Sequence, residues 1–248
     1  MSVSRHRSVL VTWLSGRPLG SSQSVILAEL RACILDGEAP PGTPIPVDAV
    51  AAVFGVSRIP VREALMTLIG EGLVDHRPNF GYRVAMLTAA EFAEIYLARE
   101  ALETAALRVA VGRAGEADVE RARTAHAALE EAVRVGDGRA HHRESRRFHL
   151  ALIEPCRMSR LLNMLGTAWN MTEPLQPMSH LAAAERALLH ADHADMLAAF
   201  TARDADRLIG VCTAHHRRLQ AFITRLPQHT GLFAASSRPE TGPDKENV

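Results

Sequence analysis

The sequence predicts a mainly α-helical chain in two parts, an N-terminal winged helix-turn-helix followed by an all-α helical bundle. Three observations predict it. Of 248 residues, 47 % are hydrophobic but only 4 % aromatic, so the core must be mainly Ala, Leu and Val, which suits helices better than a β-sandwich. Three short segments with helical apolar spacing precede two alternating segments set around Pro78-Asn79-Phe80-Gly81. From Thr88 to residue 226, Ala, Leu, Arg and Glu dominate, broken by Gly or Pro at helix-length intervals.

Taken in order, residues 1–20 read as a flexible arm. The first predicted helix starts at a Ser near residue 22, buries Val25, Ile26, Leu30 and Ile34, and stops at Gly37. The run "APPGTPIP" cannot be helix. A second short helix, "VDAVAAVFG", starts at Pro46 or Asp48 and closes at Gly55. Ser57 caps the third, with Pro60 in its first turn where a missing N–H costs nothing; Val61, Leu65, Leu68 and Ile69 form its buried stripe. "LVDHR" and "YRVAML" then form a hairpin. Breaks at Gly112–Gly115, Gly136–Gly138, Pro155, Pro174–Pro177 and Asp204 divide the remainder into about six or seven helices. The expected boundaries are 21–86 for the winged part and 87–228 for the bundle, with a disordered tail over 229–248.

Basic and acidic residues balance at 28 each, so an argument for nucleic acid must be local. Three widely spaced cysteines, Cys33, Cys156 and Cys212, suggest reduced thiols rather than a disulfide framework. The apolar run "SVLVTWL" is too short to span a membrane and no small-residue cleavage site follows, so the expectation is a cytoplasmic protein.

The local argument lies in residues 56–84. In a helix-turn-helix the N-terminal part of the second helix enters the DNA major groove. Arg58 and Arg62 are four residues apart and share the face opposite the buried stripe. Ser57 either caps the helix or touches phosphate, and Arg62 suits a guanine edge, since a guanidinium bonds O6 and N7 together. Arg77 and Arg83 flank the hairpin tip, where Gly81 permits close approach to DNA. The bland alternative is a solvated face with Arg58–Glu63 or Arg62–Glu63 pairs, less suited to four arginines on one helix and wing.

The stretches "VSRIPVREAL", "EGLV" and "PNFGYRV" resemble the N-terminal domain of GntR-type bacterial transcriptional regulators over about residues 24–86. "LAREALETAAL" resembles the start of the helical ligand-binding domain, FCD, of the FadR-like subfamily. The resemblance implies a one-component regulator. It would be a homodimer on a palindromic operator, with a small effector that alters affinity. It assigns the DNA role to Ser57, Arg58, Arg62 and the wing. Ile59 departs from the Thr often found there, which removes a hydroxyl contact, and Asp48 offers no positive group where some relatives have one.

Histidines form a second constellation. His193 lies eleven residues before Asp204 and His215 eleven after it, so in an antiparallel pair both stand about 16 Å from the turn. With His149 from another helix they make a three-nitrogen set suited to zinc, nickel or a similar divalent ion. The FCD resemblance implies the same three ligands, preceded by an Asp four residues before the first. Here that position is Ser145, which costs a negative charge. Water, an effector carboxylate or Glu144 would then complete the site. The coincidental reading is that twelve histidines in 248 residues produce some such spacing by chance.

His142, His190 and His216 are expected at the surface or behind the ligands, and Cys212 with His216 as a soft site or, more simply, Cys212 as core. Arg99 either meets an effector carboxylate, as the resemblance implies, or pairs with Glu103 or Glu100. Trp169 and Asn170 read as core packing first and cavity lining second. Met158, Met164, Met171 and Met178 read as core or dimer seam. A cation with Arg99 favours a small organic acid as effector. The rival class, a metal-dependent hydrolase, finds no carboxylate clearly placed as a general base and no G-x-S-x-G pattern.

Overall fold

In the computed structural model, which describes residues 8–16, 20–225 and 233–234, the first helix lies inside the expected arm. Val9–Ser15 form α1, whose Leu10, Val11 and Leu14 are buried in the core of the winged part. A seven-residue helix is unstable alone; burial of those three side chains supplies what propensity does not. The rest of the arm, residues 1–7 and 17–19, lies outside the described residues, as does the tail apart from Phe233 and Ala234.

Ser22 Oγ accepts the Val25 N–H and starts α2 (Gln23–Leu35). β1 (Pro44–Ile45) follows, then α3 (Val47–Phe54) with Pro46 as its N-cap and α4 (Arg58–Gly70) after Ser57. β2 (Val74–Arg77) and β3 (Gly81–Val84) form the wing hairpin, with Val74 opposite Val84 and Arg77 opposite Gly81. β1 adds to the other edge of β3, giving the antiparallel order β1-β3-β2. Ile26, Leu30, Ile34, Val50, Phe54, Val61, Leu65 and Leu68 meet in one core, as their helical spacing requires.

Thr88 and Glu91 make a reciprocal capping box that opens α5 (Ala89–Arg113). The bundle continues through α6 (Glu116–Arg134), α7 (Gly138–Ile153), a 3-10 turn at Glu154–Cys156 and α8 (Ser159–Thr172). A second 3-10 turn at Glu173–Leu175, the short α9 (Pro177–His180), α10 (Ala183–Thr201) and α11 (Ala205–Thr224) complete it. Breaks fall at the expected Gly and Pro positions. Asp204 turns the chain between α10 and α11, its carboxylate accepting the Arg207 N–H. Among the described residues, no helix is long and apolar enough to cross a membrane.

Candidate functional site

The antiparallel α10–α11 pair sets His193 and His215 at one level, with ring centroids 4.5 Å apart. α7 brings His149 against both, its ring 5.2 Å from each. One ring nitrogen from each of the three lies within 4.8 Å of the others, and His149 Nε2 is 3.2 Å from His193 Nε2. Two nitrogens bound tetrahedrally at about 2.0–2.1 Å stand about 3.3 Å apart, so this spacing fits one divalent ion. Burial, then the neighbouring imidazoles, hold His193 well below its ordinary pKa. Burial pushes His215 down to about 4, against the pull of Asp192. Both rings are therefore neutral at pH 7, the form that carries a ligand lone pair.

Carboxylates stand behind two of these rings. Glu103 on α5 bonds His149 Nδ1 through Oε1 and His216 Nε2, at 2.9 Å, through Oε2. Burial alone would lift its carboxyl, but His149 and His216 outweigh that and hold it well below the usual carboxylate range. Asp192 Oδ2 lies 3.5 Å from His215 Nδ1 and accepts from Arg218 Nε at 3.0 Å. Carboxylates placed this way set tautomer and ring orientation, and they supply the negative charge that a divalent ion among neutral imidazoles needs. The residues present therefore fit a metal. Ser145 Oγ is 3.5 Å from His193 Nε2, at the mouth of the set.

A cavity of about 20 Å³ joins this set to Arg99, His142, Arg146 and Trp169. Arg99 is 5 % exposed, its guanidinium 4.3 Å from the Trp169 ring and 4.5 Å from the Tyr96 ring. Nη1 donates to Thr172 Oγ1 at 3.0 Å, and Nε has no hydrogen-bond partner among the described residues. The alternative pairing with Glu103 does not form, because that carboxylate is spent on two imidazoles. Trp169 lines the cavity, and Asn170 Oδ1 accepts from Arg146 Nη2 at 2.7 Å.

Other expectations fare differently. Glu144 turns away from the imidazoles: it pairs with Arg143 and Arg147 and lines a separate, larger surface furrow between α6 and α7. His142 and His216 are buried, on Glu173 and Glu103, whereas His190 is half-buried and stacks on His126 at 4.9 Å. Cys212 is buried core, within reach of Glu103 and His216 as a second candidate ligand group. Met178 is core, but Met158 and Met164 are 38 % and 62 % exposed. Asp192, Arg146 and Glu173 are not evident from the sequence, and Glu103 is evident there only as a possible partner of Arg99. Glu103 had a signal: it continues the buried stripe Phe92, Tyr96, Arg99, Ala106, Ala110 of α5, where a carboxylate must have partners.

On the winged part, Ser57, Arg58 and Arg62 are exposed at the start of α4, and Arg77 is exposed at the wing. Ser57 makes no side-chain cap, so its hydroxyl is free of the helix end. Arg58 pairs with Asp48 of α3 rather than with Glu63, and Arg62 has no ion pair among the described residues. Gly81 begins β3, and the half-buried Arg83 lies 5.8 Å from the exposed Phe80 ring.

Residues 22–84 match the family described as bacterial regulatory proteins, gntR family, and residues 94–218 match the FCD domain. The chain belongs to the GntR family and carries an FCD domain. GntR-family proteins with this domain are transcriptional regulators, not enzymes. This chain is 33 % identical over 137 residues to the "Probable D-xylose utilization operon transcriptional repressor" of Paenarthrobacter nicotinovorans, covering 55 % of this chain and 58 % of that one. It is 40 % identical over 92 residues to the gluconate operon transcriptional repressor of Bacillus subtilis, 37 % of this chain and 36 % of that one. The GntR-family chain thus spans about half or less of the curated relatives it matches. In fold it is similar to E. coli McbR/YncC, with a TM-score of 0.73 at 22 % identity over 82 % of this chain and 96 % of that one. A GntR transcriptional regulator from Rhodococcus sp. RHA1 gives 0.74 at 23 %, over 83 % and 99 %.

Proposed function

We propose that this GntR-family regulator is a homodimer that binds a palindromic DNA operator and releases or grips it according to a small carboxylate bound in the helical domain. One observation carries the reading. Two imidazoles of the triad, His149 and His215, converge on one cavity with a hydroxyl and a guanidinium that has no carboxylate partner, and His193 stands directly behind them. Neutral imidazole nitrogens accept a cation, and a buried guanidinium accepts an anion.

His149, His193 and His215 would hold a divalent ion, zinc or nickel by its donor set. When bound, it supplies a cationic anchor for a carboxylate. Ser145 offers a hydroxyl beside that anchor, and Arg99 a second donor. α4 lays Arg58 and Arg62 along the major groove, Ser57 contacts phosphate, and the wing carries Arg77, Gly81 and Arg83 to the adjacent backbone. One winged helix reads only a half-site, so two copies are needed for tight, selective binding. An effector changes operator affinity only by binding one arrangement of the heads better than the other.

The test is a titration of the full-length protein into DNA from upstream of its own gene, followed by fluorescence anisotropy. Candidate organic acids are added with and without a chelator, and sedimentation gives the assembly. Selective binding by a dimer, shifted by an acid only when metal is present, is expected. Equal binding to random DNA, or a monomer at micromolar concentration, overturns the reading.

A further inference from the structure

Glu173 stands behind the cavity wall, against two of the residues that line it, His142 and Arg146. The carboxylate is 3 % exposed, lies 3.0 Å from His142 Nε2 and 3.6 Å from Arg146 Nη1. Glu173 Oε1 and Arg146 Nη1 are buried without hydrogen-bond partners among the described residues, so this pairing leaves capacity unused on both sides. His142 and Arg146 line the same cavity as Ser145, His149 and His215. The cavity thus has an imidazole end and an end lined by Arg146 and His142, and the chain's own carboxylate engages that second pair from behind.

The segment bearing Glu173 also grips the winged part. The 3-10 turn Glu173–Leu175 runs into Gln176, a left-handed residue with φ 45°, whose Nε2 donates to Leu35 O at the end of α2 at 2.9 Å. A Cβ on Gly37 would come within 2.7 Å of the Gln176 side chain, and one on Gly72 within 2.5 Å of Met171. The winged part therefore approaches this segment as closely as glycine allows. On the other side, Thr172 accepts from Arg99. One short stretch touches both the cavity and the winged part.

At about 20 Å³ the cavity holds a water molecule and not an organic acid of several carbons. Admitting a ligand means moving a wall. α5, α7 and α11 are helices of 25, 16 and 20 residues, whereas the wall at Pro177 and Met178 belongs to a single helical turn that follows the 3-10 turn Glu173–Leu175, the less firmly bonded element. Moving that wall moves Gln176.

We propose that Glu173 is a tethered occupant of a second anion subsite formed by Arg146 and His142. The effector is then a dianion whose distal carboxylate displaces Glu173 and so releases the Gln176–Leu35 clamp on the winged part. This rests on the effector reading above. The dianion binds the released arrangement better than the clamped one, which is the differential affinity that coupling requires. A monoanion at the imidazole end leaves Glu173 in place.

The test uses full-length protein with one equivalent of Zn²⁺. Dicarboxylates from malonate to adipate are titrated by calorimetry against monocarboxylates of matched carbon number, and hydrogen exchange is followed over residues 35–38 and 172–177. A dicarboxylate should bind at least about fivefold more tightly than its match, the low end of ordinary allosteric coupling, and should speed exchange over both segments. In Glu173→Gln, exchange is already fast and only dicarboxylates bind more tightly. If that variant fails to fold, Gln176→Ala tests the clamp from its other end: dicarboxylates still bind, and exchange over 35–38 is fast with or without them. Equal binding of both series overturns this proposal and leaves the effector reading standing. A dicarboxylate preference with unchanged exchange overturns the clamp. Failure of every acid to bind overturns both readings.

Discussion

Glu103 orients His149: its Oε1 accepts from the Nδ1–H, which presents Nε2 to His193 Nε2, 3.2 Å away. A carboxylate can accept from His149 and His216 at once; an amide cannot, because one of its two ends is a donor. Glu103→Gln should therefore turn one imidazole the wrong way and lower metal affinity about 10–100-fold, as loss of partners behind metal ligands does elsewhere. Competition against a chromophoric chelator measures this. Affinity equal to the parent's would mean that Glu103 only packs α5 against α7 and α11.

Arg62 is exposed, near the start of α4, and makes no ion pair among the described residues. If it reads a guanine with both arms, Arg62→Lys keeps the charge and loses the fork. Operator affinity should drop by about 1–3 kcal/mol while binding to random DNA persists. Undiminished discrimination in anisotropy titrations on the two DNAs would remove Arg62 from base readout. Arg58 makes a useful contrast, since its pairing with Asp48 must loosen before it can reach DNA.

How much of this was legible in the sequence depends on the range of the deciding interaction. The helices were legible because their stripes and caps are local: Ser22, Ser57 and Asp204 sit where the pattern puts them. His193 and His215 were legible because one turn at Asp204 determines which residues of an antiparallel pair lie level. α1 and β1 were not, since seven residues of helix and two of strand exist only through what they pack on or pair with. Glu103 was read as a helix neighbour of Arg99, and its real partners lie 46 and 113 residues away. Glu173 shows the same limit, because its role depends on how a turn between helices meets α7.

His141 gives the chain a predictable acid limb. It is fully buried, and neither ring nitrogen has a hydrogen-bond partner among the described residues. Burial, then the charges of His190 and Arg186, hold its pKa down to about 3 against an ordinary 6.5. The folded value lies below the unfolded one, so the unfolded chain takes the proton first as pH falls. The contribution to stability is complete above about pH 6.5 and is lost progressively down to about pH 3, at up to about 1.4 kcal/mol per pH unit. His141→Leu should flatten this limb and leave stability at pH 7 equal or higher. Urea midpoints across that range decide it; a limb as steep as the parent's would assign the effect to other groups.

Ser145 stands 3.5 Å from His193 Nε2, and no carboxylate among the described residues stands as close to that nitrogen. The charges that compensate a divalent ion, Glu103 and Asp192, lie behind His149 and His215, one imidazole away from it. Compensation across a ring is weaker than direct ligation, which leaves a place for the carboxylate of an effector. Metal and acid should then bind with mutual positive coupling, because linkage makes each strengthen the other by the same factor. Ser145→Asp brings a carboxylate into that place. Without metal it adds a second buried charge and should lower stability, since His193 is neutral and cannot pair with it. With metal, affinity should rise above the parent's, stability should return, and the dependence of metal binding on added acid should shrink. Calorimetric titration of Zn²⁺ into both proteins, with and without an acid that binds the parent, separates these terms. Coupling of equal size in parent and variant would show that the effector carboxylate does not share the place of Ser145. Metal binding by His193→Ala as tight as the parent's would show that the three imidazoles are not its ligands.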